Sequence, residues 1–172
     1  IVAIEDERVA NNSALGETLR DVPGETVTVA LADGSRVPVD RTVLVTGITS
    51  ASPYADIGVN ATVASVNGTP VRTEHELRSI LENQTFVTLR TEGGKTASGP
   101  AGALVGIASN EPAADAGMPA GETVVVTRID GERVHSQTAL SRVLGRYDPG
   151  ETVTVRVVAD GDTESYDVTL GE

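Results

Sequence analysis

One layout occurs three times along these 172 residues, and a fold must satisfy it each time. The copies are IVAIEDERVANNSALGETLRDVPGETVTVAL at 1–31, VASVNGTPVRTEHELRSILENQTFVTL at 63–89 and VTRIDGERVHSQTALSRVLGRYDPGETVTVRVV at 126–158. Each reads apolar strand, short turn, Val, polar cap, helix, turn, strand. Superposing Val9, Val71 and Val134 brings Asn11, Thr73 and Ser136 into register. It also aligns Leu15 with Leu77 and Leu140, and Leu19 with Leu81 and Leu144. The run PGETVTV stands verbatim at 23–29 and 149–155. Repetition of this kind fixes the architecture before any single element is assigned.

The physical reading of each copy is the same. Asn11, Thr73 and Ser136 carry side-chain oxygens suited to cap the free amides of a helix start. Leucines four apart then share one helical face. Thr26–Val29, 86–89 and 152–157 alternate or run apolar as strands do. Asp33-Gly34, Gly93-Gly94 and Asp160-Gly161 are two-residue hairpin signals. Asn67-Gly68 and Asp130-Gly131 make the turn before the helix, whereas Glu5-Asp6 in the first copy predicts a looser one.

Two copies have a prelude: 42–63 before the second and 102–125 before the third. Each reads as a strand interrupted by glycine, then a short Pro-started helix ending at Gly58 or Gly117. The first copy begins directly at its strand. The organisation expected is therefore a truncated C-terminal part-module at 1–40, a module at 41–98 and a module at 99–172. Linkers are expected near Asp40-Arg41 and Ser98-Gly99-Pro100, where the composition is Pro- and Gly-rich.

Charge narrows the partners. The net charge is -12, with 25 acidic against 13 basic residues, which disfavours nucleic acid and anionic membrane surfaces. Twelve of the 13 cations are arginine and Lys95 is the one lysine. An acidic, lysine-poor surface over a Val- and Ala-rich core is expected of a halophile, as in haloarchaeal proteins. With no cysteine, disulfide and thiol chemistry are excluded. No apolar run is long enough for a membrane helix.

The string VGIASNEPAADAGMPAGETVVVTRIDGERV resembles a bacterial or archaeal PDZ domain. The resemblance is carried by Val105-Gly106-Ile107, by Pro112-Ala113-Ala114-Asp115-Ala116-Gly117, by Gly121-Glu122 and by Asp130-Gly131. The middle module matches through Thr46-Gly47-Ile48, Pro53-Tyr54-Ala55-Asp56-Ile57-Gly58 and Asn67-Gly68, with Asn60-Ala61 near the place of the Gly-acid step. The fold implied is α+β: tandem PDZ-like modules, each a partly open antiparallel β-barrel or sandwich with two capping helices.

Such domains bind by strand addition, pairing an extended peptide with a strand edge. The resemblance implies a carboxylate-holding nest from the amides of Val105, Gly106 and Ile107, and a pairing edge at Ile107, Ala108 and Ser109. Ser136, Leu140 and Val143 on the facing helix would line the pocket. In the middle module the corresponding residues are Gly47, Ile48 and Thr49, with Thr73, Leu77 and Ile80. An aliphatic pocket favours peptide segments or C-termini ending in Val, Ala or Leu. Leu77, Ile80, Leu140 and Val143 read equally as ordinary core.

Two and a half such units on an acidic surface are similar to the PDZ region of haloarchaeal site-2-protease-type membrane zinc metalloproteases. That resemblance implies a region outside the cytoplasm that governs substrate access to a membrane-embedded site. The membrane domain of the parent would be a partner, and zinc a cofactor of the parent only. A substrate-sensing region of an HtrA-type serine protease and a non-binding structural adaptor are the alternatives. No catalytic or metal-binding residue is assigned in this chain. His75-Glu76 lacks the second His of a zincin, since residue 79 is Ser79. His75 and His135 stand at helix starts with no nucleophile elbow nearby. Asp160, Asp162 and Asp167 miss the spacing of a calcium loop.

Overall fold

The structure is a computed structural model, and it describes residues 1–171. Three separate antiparallel sheets follow one another along the chain, each flanked by helical segments. The first contains β1 (Ala3–Ile4), β2 (Glu7–Arg8), β3 (Thr26–Ala30) and β4 (Arg36–Asp40), with helix α1 (Asn12–Asp21) between β2 and β3. The second contains β5 (Val43–Leu44), β6 (Thr62–Val66), β7 (Thr69–Pro70), β8 (Phe86–Thr91) and β9 (Thr96–Pro100), with α2 (Glu74–Asn83). The third contains β10 (Ala103–Gly106), a short α3 (Pro112–Asp115), β11 (Thr123–Ile129), β12 (Glu132–Arg133), α4 (Gln137–Leu144), β13 (Thr152–Ala159) and β14 (Asp162–Thr169). Strand order is β2-β1-β3-β4, then β5-β6-β8-β9 with β7 on β6, then β10-β11-β13-β14 with β12 on β11.

The repeat is realised contact by contact. Asn11, Thr73 and Ser136 each accept from the amide three residues on, at 2.9, 3.2 and 3.2 Å. The aligned leucines pack against three separate cores. In the third unit Val124, Val153 and Val157 of the sheet are fully buried together with Val134, just past β12, and Val143 of α4, so one aliphatic layer is closed by α4 on one face. Burying a valine side chain contributes roughly 1.5–3 kcal/mol, and the fully buried residues of this layer are aliphatic, with Tyr147 and Tyr166 packed against its margin.

The turn at Glu5-Asp6 is not looser than its counterparts. Ile4 pairs with Glu7 across a two-residue turn, and Glu5 takes the left-handed φ of 51° that Asn67 and Asp130 take at 50° and 45°. The reason lies in its side chain. Glu5 accepts from the Thr28 amide at 2.7 Å, just as Asn67 accepts from Thr88 at 2.8 Å and Asp130 from Thr154 at 2.7 Å. Any acceptor of suitable reach at this position ties the turn to the strand beyond the helix.

Two other expectations change. The prelude helix of the second unit is a single 3-10 turn, Ala55–Ile57, held by the Tyr54 hydroxyl donating to the carbonyls of Gly99 and Pro100. The first sheet has α1 alone. Ser98-Gly99-Pro100 is strand, not linker: these residues pair with Thr88, Val87 and Phe86. Glycine is required there because a Cβ on Gly99 would lie 2.5 Å from Pro53. The chain leaves the second sheet at Ala101-Gly102, where a Cβ on Gly102 would lie 2.4 Å from the Val126 carbonyl oxygen.

Gly102→Ala should therefore cost about 1–3 kcal/mol by overpacking, read as a lower urea midpoint. Gly106→Ala, whose added methyl meets nothing within 4 Å, should stay within about 0.5 kcal/mol of the parent chain.

Candidate functional site

An antiparallel strand directs its backbone groups alternately to its two sides. On β10 the sides are fixed by Ile107, just past the strand. Its amide donates to Glu122 at 2.8 Å and its carbonyl accepts from Gly121 at 2.7 Å, both toward β11. Leu104 and Gly106 have the opposite phase and present their amides and carbonyls to the outer edge. Among the described residues no strand pairs with that edge. The Ile107 amide is committed to the sheet, so the three amides of Val105, Gly106 and Ile107 do not converge on one point. Gly106 is ordinary extended backbone and is absent from the glycines with positive φ, so no left-handed nest forms there.

The facing element is α4. Ser136 is spent as its cap, with the hydroxyl accepting from Ala139. Leu140 is half-buried against the core, and Val143 is fully buried within it. Gln137, which the sequence pattern did not single out, donates its side-chain amide to the outward carbonyl of Leu104. This contact spans 33 residues and confirms that Leu104 points away from β11. It closes one end of the furrow between β10 and α4. Gly106, Ala108 and Ser109 are exposed at the other end, where the Ala108 carbonyl accepts from Glu111. Val105 is half-buried against the core and Ile107 is fully buried.

The second unit does not offer the same edge. Its first strand is two residues long, with Val43 opposite Val63 as Ala103 is opposite Val126. Since Val63 and Val126 are equivalent in the repeat, Thr46 and not Gly47 stands at the place of Gly106. The two Φ-Gly-Φ strings are thus one residue out of structural register. Gly47 and Thr49 are exposed, Ile48 is half-buried and none is in a strand; the Thr49 carbonyl accepts from Ser52. Leu77 and Ile80 pack on the core. At the place of Gln137 stands Glu74, which pairs with Arg78 at 2.7 Å and cannot donate to a carbonyl.

Thr73 belongs to a reciprocal cap. Its hydroxyl accepts from Glu76, whose carboxylate accepts from the amides of Arg72 at 2.9 Å and Thr73 at 3.0 Å. These amides, the Arg72 amide first, hold the Glu76 carboxyl below its ordinary range.

Adjacent units meet through arginines at helix C-termini. Arg41 donates to the carbonyls of Leu19 at 2.8 Å and Val22 at 2.6 Å at the end of α1. Arg133 donates to the carbonyls of Leu81 and Gln84 at the end of α2 and to that of Ala101 just past β9. Leu19 and Leu81 are equivalent in the repeat, so the two joints use one acceptor site. Each joint has a second contact from the position after the aligned valine: Arg72 lies 3.2 Å from Glu25, and His135 Nε2 lies 3.7 Å from Glu82. Among the described residues no helix is long and apolar enough to cross a membrane, and no group of three or more His, Asp or Glu is placed to hold a metal.

Residues 87–170, which run from β8 of the second sheet through the third, match the family model of the PDZ domain. A stretch of 74 residues, 42% of the chain, is 39% identical to a Halomonas elongata protein named "Probable periplasmic serine endoprotease DegP-like". The match spans 15% of that relative's length.

The depressed Glu76 carboxyl adds stability at pH values above its unfolded range, and that contribution is lost as pH falls through its folded range. Acid unfolding of α2, followed by circular dichroism, should be steeper in the parent chain than in Glu76→Gln, which does not titrate there.

Proposed function

We propose that the third unit recognises extended peptide segments or C-termini by strand addition along the outer edge of β10. The observation that carries this reading is the outward phase of Leu104 and Gly106 on a strand with no partner on that side. An incoming strand would pair with those backbone groups and lie against α4, with Leu140 the half-buried side chain nearest a peptide residue. Val143 serves the core. Gln137 acts as a latch: its bond to Leu104 must open before the whole edge can pair. The tandem reading is part of the same proposal, with the second unit as a spacer that lacks a full-length edge and the first as a part-module.

The region's place in a larger protein follows the relative more closely than the membrane metalloprotease. We favour a substrate-sensing region of an HtrA-type serine endoprotease, acting outside the cytoplasm, because the matched relative is named a periplasmic serine endoprotease. The net charge of -12 and the single lysine support a high-salt setting for the parent.

Titration with a library of labelled peptides in molar salt tests the reading. Gly106→Pro removes an outward amide and should weaken binding at least tenfold. Gln137→Ala frees the Leu104 carbonyl and should strengthen it about fivefold, equivalent to one hydrogen bond of about 1 kcal/mol. Binding unchanged in both variants would refute strand addition at β10.

A further inference from the structure

The outer face of the third sheet carries two neighbouring rows of side chains. Leu104, Val125, Val158 and Thr163 stand opposite one another across β10, β11, β13 and β14. The next row is Arg133, Arg128, Arg156 and Ser165 across β12, β11, β13 and β14. Directly opposed residues share a face, and like charges so opposed destabilise a sheet. Three arginines in one row therefore cost stability unless something anionic meets them.

Among the described residues nothing does so. Acidic residues outnumber basic ones 25 to 13, yet among the described residues Arg128, Arg133 and Arg156 form no ion pair. Arg128 donates to the Gly131 carbonyl, and Arg133 reaches carbonyls through one nitrogen while its Nε and Nη1 lie buried without a partner. Burial and the neighbouring Arg128 both push the Arg133 guanidinium down from its ordinary pKa.

The fold does not require this row. The equivalent residues of the second sheet are Pro70, Ser65, Arg90 and Thr96, and those of the first are Arg8, Ala3, Ala30 and Arg36. Only the third sheet sets three arginines side by side.

Both rows face a cleft of about 680 Å³ between the second and third units, within the roughly 300–1,000 Å³ usual for ligand sites. Arg128 and Arg156 line it from the basic row, and Leu104, Val125 and Val158 from the apolar row. Pro53, Phe86 and Pro100 form the opposite wall, and Phe86 is 57% exposed although it is the single phenylalanine of the chain. Asp160 is the one carboxylate among the lining residues, and it stands in the β13–β14 turn beyond the apolar row from the arginines.

We propose that this cleft is a second recognition site, which takes the C-terminal end of a peptide with an apolar last residue. The terminal carboxylate lies on Arg128 and Arg156, and the apolar side chain lies on Leu104, Val125 and Val158. Arg156 and Val158 are two residues apart on β13, roughly 6.6 Å, a span that a terminal carboxylate and a nearby side chain can cover together. Arginine suits a carboxylate because its planar fork donates two parallel hydrogen bonds. The site rests on the peptide-recognition reading, but it uses the face of the sheet and not the edge of β10.

The test uses a fluorescein-labelled pentapeptide ending in leucine, with a free carboxylate or as the C-terminal amide. Anisotropy should show at least tenfold tighter binding of the free acid to the parent chain. The double variant Arg128→Gln/Arg156→Gln should lose that preference, whereas Gly106→Pro should keep it. Relief of the opposed charges should leave the melting temperature of the double variant equal or higher, which shows that it is folded. Equal binding of acid and amide by the parent chain would overturn the cleft site. So would a preference that survives the double variant, or displacement of the free acid by sodium acetate at the same concentration as by unlabelled peptide. Loss of the preference in Gly106→Pro alone would place the carboxylate at β10, overturning the cleft while leaving strand addition intact.

Discussion

Strand β11 is the constraint on which the third unit depends. It pairs with β10 and β12 on one side and β13 on the other, and Val124, Val126 and Ile129 send their side chains into the core. The register against β13 shifts between Val126 and Arg128, leaving Thr127 as the extra residue of a bulge. Thr127 is buried, and its hydroxyl donates to the Arg156 carbonyl at 3.1 Å, so the bulge is hydrogen-bonded and not merely tolerated. That extra residue puts Arg128 on the outer face while Ile129 returns to the core. The phase of β11 also fixes β10, which decides that Ile107 turns inward and Leu104 and Gly106 turn outward.

Around this strand the three units repeat a small set of bonds. A side-chain acceptor in the turn before each helix holds the amide of the strand after it, a polar cap starts each helix, and an arginine reaches a leucine carbonyl at each of the two joints. The units differ where these bonds do not constrain them. The first strand of the second unit stops after two residues, and the row across its outer face carries one arginine where the third has three. Differences of this kind, on a shared frame, set the third unit apart from the other two.

The frame was legible in the sequence because it rests on local periodicity and turn chemistry. The aligned leucines, the caps at Asn11, Thr73 and Ser136, and the hairpin glycines each act within a few residues of themselves. The site was less legible because it depends on pairing phase and on contacts distant in the chain. The Gly106 and Gly47 strings look alike in sequence, yet the strands they follow begin at different distances, and the register separates them by one residue. Glu5 lacked the expected turn chemistry but supplied the acceptor that the turn needed. Gln137 and Arg133 act through carbonyls about 30 to 50 residues away, and no neighbour in sequence signals this. The arginine row could be found only once the register set Arg128 against both Arg133 and Arg156.

If the outer edge of β10 is a pairing edge, an incoming peptide takes up the backbone groups of Leu104 and Gly106. Backbone amide spectra of the isotopically labelled chain, recorded while a binding peptide is added, test it most directly. The Leu104 and Gly106 amides should shift and gain protection from hydrogen exchange, while the Ile107 amide, already bonded to Glu122, keeps its protection. A bound peptide that leaves the Leu104 and Gly106 amides unshifted and unprotected would contradict it.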